Sequence, residues 1–460
     1  MKRFIVMAVM AAFILGTVGM AQAVQINAKG DWQMSGNYVK NPNFDKDEKD
    51  DRFQAVQRLR TAFEFVANEN LKAVFRFHVE NRWGEEGHTT GVSGRDKLGY
   101  DLAYLDFMIP NTDVNLKVGK QAVALPNTLG SHILDEFVYG VTAGTQFNDM
   151  VGLTLGWSRF MDEEGSGYDQ SGNRRYSKDE LDVFFAIVPV TMDGFQVNPF
   201  VAYGYSGKNA FADIDADETY ADWNGESANH YWLGINATVD MFDPIVVMAD
   251  LNYGGRGEIA RNADDEKMGE TRGWIANLAV QYNMDLFTPQ VFFLYESGES
   301  RSSMEDGKKG KRMPTLIPDV NFTSFGFNGS NFRGVGRNRI AGLADDDHMA
   351  TLGVMGAGFK LMDISFVENL THEFQFAYYR GTNHKDYRNV DPDEYILMTS
   401  KDKAWEVNFN TQYQMYENLA AILELGYINA DFADRRDGDN KVKVLDDDAW
   451  KAAFGFRYRF

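Results

Sequence analysis

The sequence predicts an all-β fold: a transmembrane, antiparallel, up-and-down β-barrel of about eighteen strands, with sixteen as the alternative count. Three observations predict it. Apolar and polar residues alternate with period two from Val24 to the end of the chain. The connections between the alternating runs are short and long by turns. The long apolar run, Phe4 to Met20, sits inside an export signal, and nothing after it approaches the ~20 apolar residues of a spanning helix.

The elements follow in chain order. Lys2 and Arg3 precede the apolar run, and Ala21-Gln22-Ala23 closes it. That is the basic, apolar and small-residue order of a secretory signal. Cleavage after Ala23 is expected, which gives a signal peptide over 1–23 and one barrel domain over 24–460. In strand two, Leu59, Phe63 and Phe65 face away from Arg58, Arg60 and Glu64. Strand three sets Phe75 and Phe77 against Lys72, Arg76, Glu80 and Arg82, and strand five sets Leu116 and Val118 against Lys117 and Gln121. The same alternation marks Val151–Trp157, Tyr231–Val239, Trp405–Tyr413 and Leu419–Tyr427. Between His348 and Val367 the parity switches near Met362-Asp363, which predicts a β-bulge.

Eight connections are tight, among them Asn68-Glu69-Asn70, Met192-Asp193-Gly194 and Glu417-Asn418. Nine are long and hydrophilic: 40–51, 83–97, 124–134, 161–177, 207–227, 255–269, 300–346, 382–400 and 431–446. Short turns on one rim and long loops on the other are the layout of an outer-membrane barrel. A soluble sandwich is disfavoured, because Gly, Asn, Gln, Ser and charged residues fill the second face of nearly every strand.

Composition limits the chemistry. The net charge is −21, which argues against a nucleic-acid partner. The chain has no cysteine, so thiol catalysis, thiolate metal sites and disulfides are excluded. The seven histidines lack metal-ligand spacing. Asp213–Asp217 begins like a calcium loop, but Glu218 replaces the required Gly and Asn224 the required Glu. No metal, cofactor or enzymatic activity is expected. The rival readings are an outer-membrane hydrolase and a non-conducting structural barrel.

The closing strand is the most specific stretch. Trp450, Phe454, Phe456, Tyr458 and Phe460 alternate with Lys451, Ala453, Gly455, Arg457 and Arg459. It resembles the C-terminal signature of bacterial outer-membrane proteins, in which Tyr458 and the terminal Phe460 would be read by the barrel-assembly machinery. With the mature start VQINAKGDWQMSGNYV and the loop–turn rhythm, the resemblance covers nearly the whole chain. More narrowly, the chain resembles the homotrimeric porins of sulfate-reducing bacteria. The resemblance implies a homotrimer in the outer membrane, with lipid and lipopolysaccharide around it, and passive diffusion of small hydrophilic solutes without a cofactor. The alternative within this class is a substrate-selective porin.

For a channel, the lumen face carries the function. Arg58, Arg60, Glu64, Lys72, Arg76, Glu80, Arg82, Lys117 and Gln121 share that face by parity and form a mainly basic wall. General porins oppose such a wall with acids on an inward-folded third loop. The resemblance gives that place to AVALPNTLGSHILDEF, with His132, Asp135 and Glu136. The longest loop is basic: Lys308, Lys309, Lys311, Arg312, Arg333, Arg337 and Arg339. It would attract anions, lipopolysaccharide phosphates or a neighbouring subunit.

Overall fold

In a computed structural model the chain closes into one barrel. The structure describes residues 24–46, 50–84, 97–162, 178–211, 224–261, 265–303, 308–327, 329–332, 350–386, 397–433, 435–437, 440–443 and 446–460. The main sheet has nineteen strand segments, two of which are halves of one stave, so the barrel has eighteen staves. They are β1 (Gln25–Lys40), β2 (Arg52–Asn68), β3 (Leu71–Arg82), β4 (Lys97–Met108), β5 (Asn115–Ala124) and β6 (Asp135–Gln146). Next come β7 (Gly152–Met161), β8 (Leu181–Ile187 with Val190–Met192), β9 (Phe195–Ser206), β10 (Ala228–Phe242), β11 (Ile245–Arg256) and β12 (Thr271–Tyr282). The last are β13 (Thr288–Glu296), β14 (Val354–Val367), β15 (Leu370–Gly381), β16 (Lys403–Tyr416), β17 (Leu419–Asp431) and β18 (Asp448–Arg459). Pro189 divides β8, since its ring nitrogen has no hydrogen to donate to a ladder. The break is bridged by Val188 N–H to the Pro199 carbonyl and Gly152 N–H to the Pro189 carbonyl, each at 3.0 Å.

Each stave pairs antiparallel with its chain neighbours, and β18 returns to β1 over Asp31–Lys40 and Trp450–Arg459. Closure leaves no open sheet edge, which is the condition for a sheet to cross lipid. The seam ends on Phe460. Its N–H and C=O pair with Gly30, and its ring meets Trp32 edge-on at 5.6 Å. Glycine is required opposite, because a Cβ at position 30 would lie 2.2 Å from the Phe460 ring. The bulge predicted near Met362-Asp363 is present: the register of β14 on β15 shifts between Leu361 and Ile364.

The outer face is apolar, with exposed Leu105, Val118, Leu233, Leu251, Val291, Leu423 and Phe454 among many. Near the long-loop rim it carries aromatic side chains: Tyr38, Tyr139, Tyr203, Tyr231, Trp274, Tyr378 and Trp450. Such girdles sit at the level of the lipid headgroups. The buried core lies inside the barrel. Long-loop residues pack there against the inner wall, Phe322, Phe325 and Phe327 on β13 to β18 and Leu125, Ile133 and Leu134 on β8 to β12.

Candidate functional site

Two loops fill one side of the lumen. The first joins β5 to β6. Ser131 shapes it: its hydroxyl donates to the Leu134 carbonyl at 2.7 Å and accepts from the Leu134 N–H at 3.0 Å. Gly130, with φ +91°, turns the chain where a side chain would meet the backbone of Asn321. His132 then reaches the far wall and is buried there. Its Nδ1 lies 2.8 Å from Glu296 Oε1, and its Nε2 lies 3.1 Å from Asn277 Nδ2. Asn277 in turn donates to Asp250 at 2.6 Å. Glu296 also accepts the Gly353 N–H at 2.9 Å.

The second loop follows β13, and its described part lies across the first. Ser131 and Asp319 exchange backbone bonds of 2.9 Å, and the Leu316 N–H donates to the Ile133 carbonyl at 2.9 Å. Trp232 Nε1–H holds the Pro314 carbonyl at 2.8 Å. Farther on, the tilted rings of Phe322 and Phe327 lie 4.0 Å apart and pack on Phe292 and Tyr379. The described stretch around residues 324–331 docks on a buried ion pair. Lys451 Nζ and Glu424 Oε2 are 2.7 Å apart, with both side chains fully buried. Lys451 donates to the Ser324 carbonyl at 2.8 Å. Glu424 accepts from the Ser330 hydroxyl and the Asn331 N–H, both at 2.6 Å. A buried ion pair is tolerated only when its remaining hydrogen-bonding capacity is met, and the loop backbone meets it here. Glycines admit the loop: a Cβ on Gly426 would meet Phe325 at 2.9 Å.

The opposite wall, β2 to β5, is lined by charges paired from strand to strand. Arg60 Nε and Arg76 Nε each lie 3.1 Å from Asp101 Oδ2, and His78 Nδ1 lies 2.6 Å from Asp101 Oδ1. The Arg76 guanidinium stands over the Phe137 ring at 4.5 Å, and that of Arg60 at 5.6 Å. Lys72 faces Asp106 at 3.6 Å, Arg58 faces Glu80 at 3.9 Å, and Lys29 meets Glu64 at 2.9 Å. At the seam, Arg457 Nε donates to Asp31 at 2.9 Å.

The structure therefore brings Arg58, Arg60, Lys72, Arg76 and Glu80 together on one wall. Each faces a charge of opposite sign, so the wall is far less basic than the strand parity alone suggests. Lys117 and Gln121 adjoin it on β5, and Gln121 Nε2 bonds the Lys117 and Gly140 carbonyls. Arg82 ends β3. Asp135 and Glu136 are not loop residues: they open β6 by pairing with Ala124 and Val123. In the long loop, Lys309 pairs with Glu270, and Arg312 with Glu299 at 3.3 Å, while Lys308 and Lys311 are exposed. Arg333, Arg337, Arg339 and the acidic stretch Asp213–Asp217 lie outside the described residues. Among the described residues no group of His, Asp or Glu is arranged to hold a metal ion.

Sequence reasoning missed Asp101, and a signal for it exists. Leu98 and Tyr100 point outward, and so does Leu105, one residue out of step with the first two. Asp101 is the extra residue: Phe77 pairs with Tyr100, and Arg76 with Leu102. The bulge turns this carboxylate toward the cations of β2 and β3.

A closed eighteen-stave antiparallel barrel with a loop-filled lumen is the architecture of large outer-membrane proteins. Among solved structures, the chain is similar to the outer membrane protein OprD from Pseudomonas aeruginosa. Identity is 12%, over 96% of this chain and 95% of that one, with TM-score 0.50. It is also similar to Pseudomonas aeruginosa OpdL, at 11% identity over 95% and 99% of the two chains and TM-score 0.53. Acinetobacter baumannii OccAB4 matches at 12% identity over 96% and 100%, with TM-score 0.51. At such identities the likeness is one of fold. No family model matches the chain, and no curated protein does.

Proposed function

We propose that the chain is an outer-membrane porin, a channel through which small hydrophilic solutes diffuse down their gradients. One observation carries this reading. The barrel has an apolar, aromatic-girdled outer face and an inner wall of charged side chains, with the loops docked on the opposite side. Space between the charged wall and the docked loops is the route for water and solute. Transverse charge in such a passage sorts solutes without tight binding. Exposed Lys308 and Lys311 support modest attraction of anions at the mouth.

The likeness to solved outer-membrane barrels supports the location, and the export pattern over 1–23 supports delivery there. Lipid and lipopolysaccharide would surround the outer face. The resemblance to porins of sulfate-reducing bacteria supports a homotrimer. A second reading, a substrate-selective porin, is favoured by the two loops that cross in the lumen and narrow it.

Liposome swelling tests the proposal. Vesicles carrying the purified protein are expected to swell in small sugars and amino acids, at rates that fall with solute size. Folded protein in the vesicles with no swelling in any of these solutes would overturn it.

A further inference from the structure

We propose that Asp101 is a specificity-determining residue: it silences the cations of the lumen wall and keeps the passage from strong anion selectivity. The inference rests on the porin reading. Asp101 is placed by the bulge in β4, an irregularity that strand pairing alone does not need. Its side chain is 8% exposed, and it meets three cationic or potentially cationic groups from two neighbouring strands. Arg60 and Arg76 approach the same oxygen at equal distance, and His78 approaches the other. The neighbouring contacts Arg58–Glu80 and Lys72–Asp106 each set one acid against one base. The Phe137 ring covers both guanidinium groups and limits their access to water, so the field of Asp101 on them is little screened.

Removing this one charge changes the wall more than its count suggests. Asp101→Asn keeps the shape and leaves Arg60, Arg76 and His78 without their shared carboxylate. Anions in the passage then meet guanidinium charge that Asp101 no longer offsets, that of Arg76 above all. The test is the reversal potential across planar bilayers in a KCl gradient. The chloride-to-potassium permeability ratio of Asp101→Asn is expected to rise at least about twofold over the wild type. Adding Arg76→Gln to that variant is expected to bring the ratio back toward the wild-type value. Arg76→Gln alone is expected to shift it toward potassium, and it serves where Asp101→Asn folds poorly. A conducting wild type with unchanged ratios in these variants would overturn this inference alone. A folded wild type that carries no current would overturn the porin reading, and this inference with it.

Discussion

Glu424→Ala is expected to free the long loop from the wall and widen the channel. The substitution leaves the Lys451 ammonium in a fully buried site without its carboxylate. Stranding one partner of a buried pair costs about 3–5 kcal/mol. The Ser330 and Asn331 donors lose their acceptor in the same step. Beyond Glu424 this end of the loop is held by packing of Phe325 on Gly426 and of Phe332 on Ala420, Ile422 and Ala453, by Phe322 and Phe327 on Phe292 and Tyr379, and by the bonds of Ser324 to Lys451 and Gln375. Release of the loop is the cheaper way to hydrate Lys451. The expected readouts are proteolytic cleavage near residues 323–332, absent in the wild type, and a conductance rise of about twofold or more. Protection and conductance equal to the wild type would show that the ion pair does not hold the loop.

Deleting Phe460 is expected to impair assembly without changing the channel that does assemble. The residue supplies two backbone bonds to Gly30 and ring contacts to Trp32 and Tyr458. Aromatic pairs contribute about 0.5–1.5 kcal/mol each beyond their buried area. The loss falls on the seam, where β18 must find β1 last. Folded yield is expected to drop about tenfold or more, since 1.4 kcal/mol is tenfold in an equilibrium. Gly30→Leu is expected to reproduce the defect from the other side of the seam, because its Cβ collides with the Phe460 ring. The check is the folded, heat-modifiable band on semi-native gels, with single-channel conductance of the surviving fraction. Wild-type yield for both variants would contradict the role of the seam.

The staves and their connections were legible because their signals are local. Alternation such as Tyr231–Val239 marks which face meets lipid, and turns such as Glu417-Asn418 interrupt it at once. The count settled at eighteen rather than sixteen because the bulge at Met362-Asp363 lets one stave change parity without ending. The lumen was much less legible. His132 meets Glu296 across 164 positions of sequence, and Lys451 meets Ser324 across 127. No periodicity reports which wall a loop will touch. The resemblance to general porins put Asp135 and Glu136 on the third loop, yet their backbones continue the ladder of β6. Parity put Arg58, Arg60 and Arg76 on one face, and in the structure they lie side by side on β2 and β3. Their neutralisation depends on a carboxylate that parity misplaces, because the bulge at Asp101 shifts the count by one.

Single-channel recording of the wild-type protein in planar bilayers tests the central claim most directly. Discrete, ohmic conductance steps are expected from protein shown to be a folded barrel, if the proposed route for water and solute runs between the charged wall of β2 to β5 and the docked loops. Folded barrels that insert and give no steps would contradict it, and would mean that the docked loops seal the lumen.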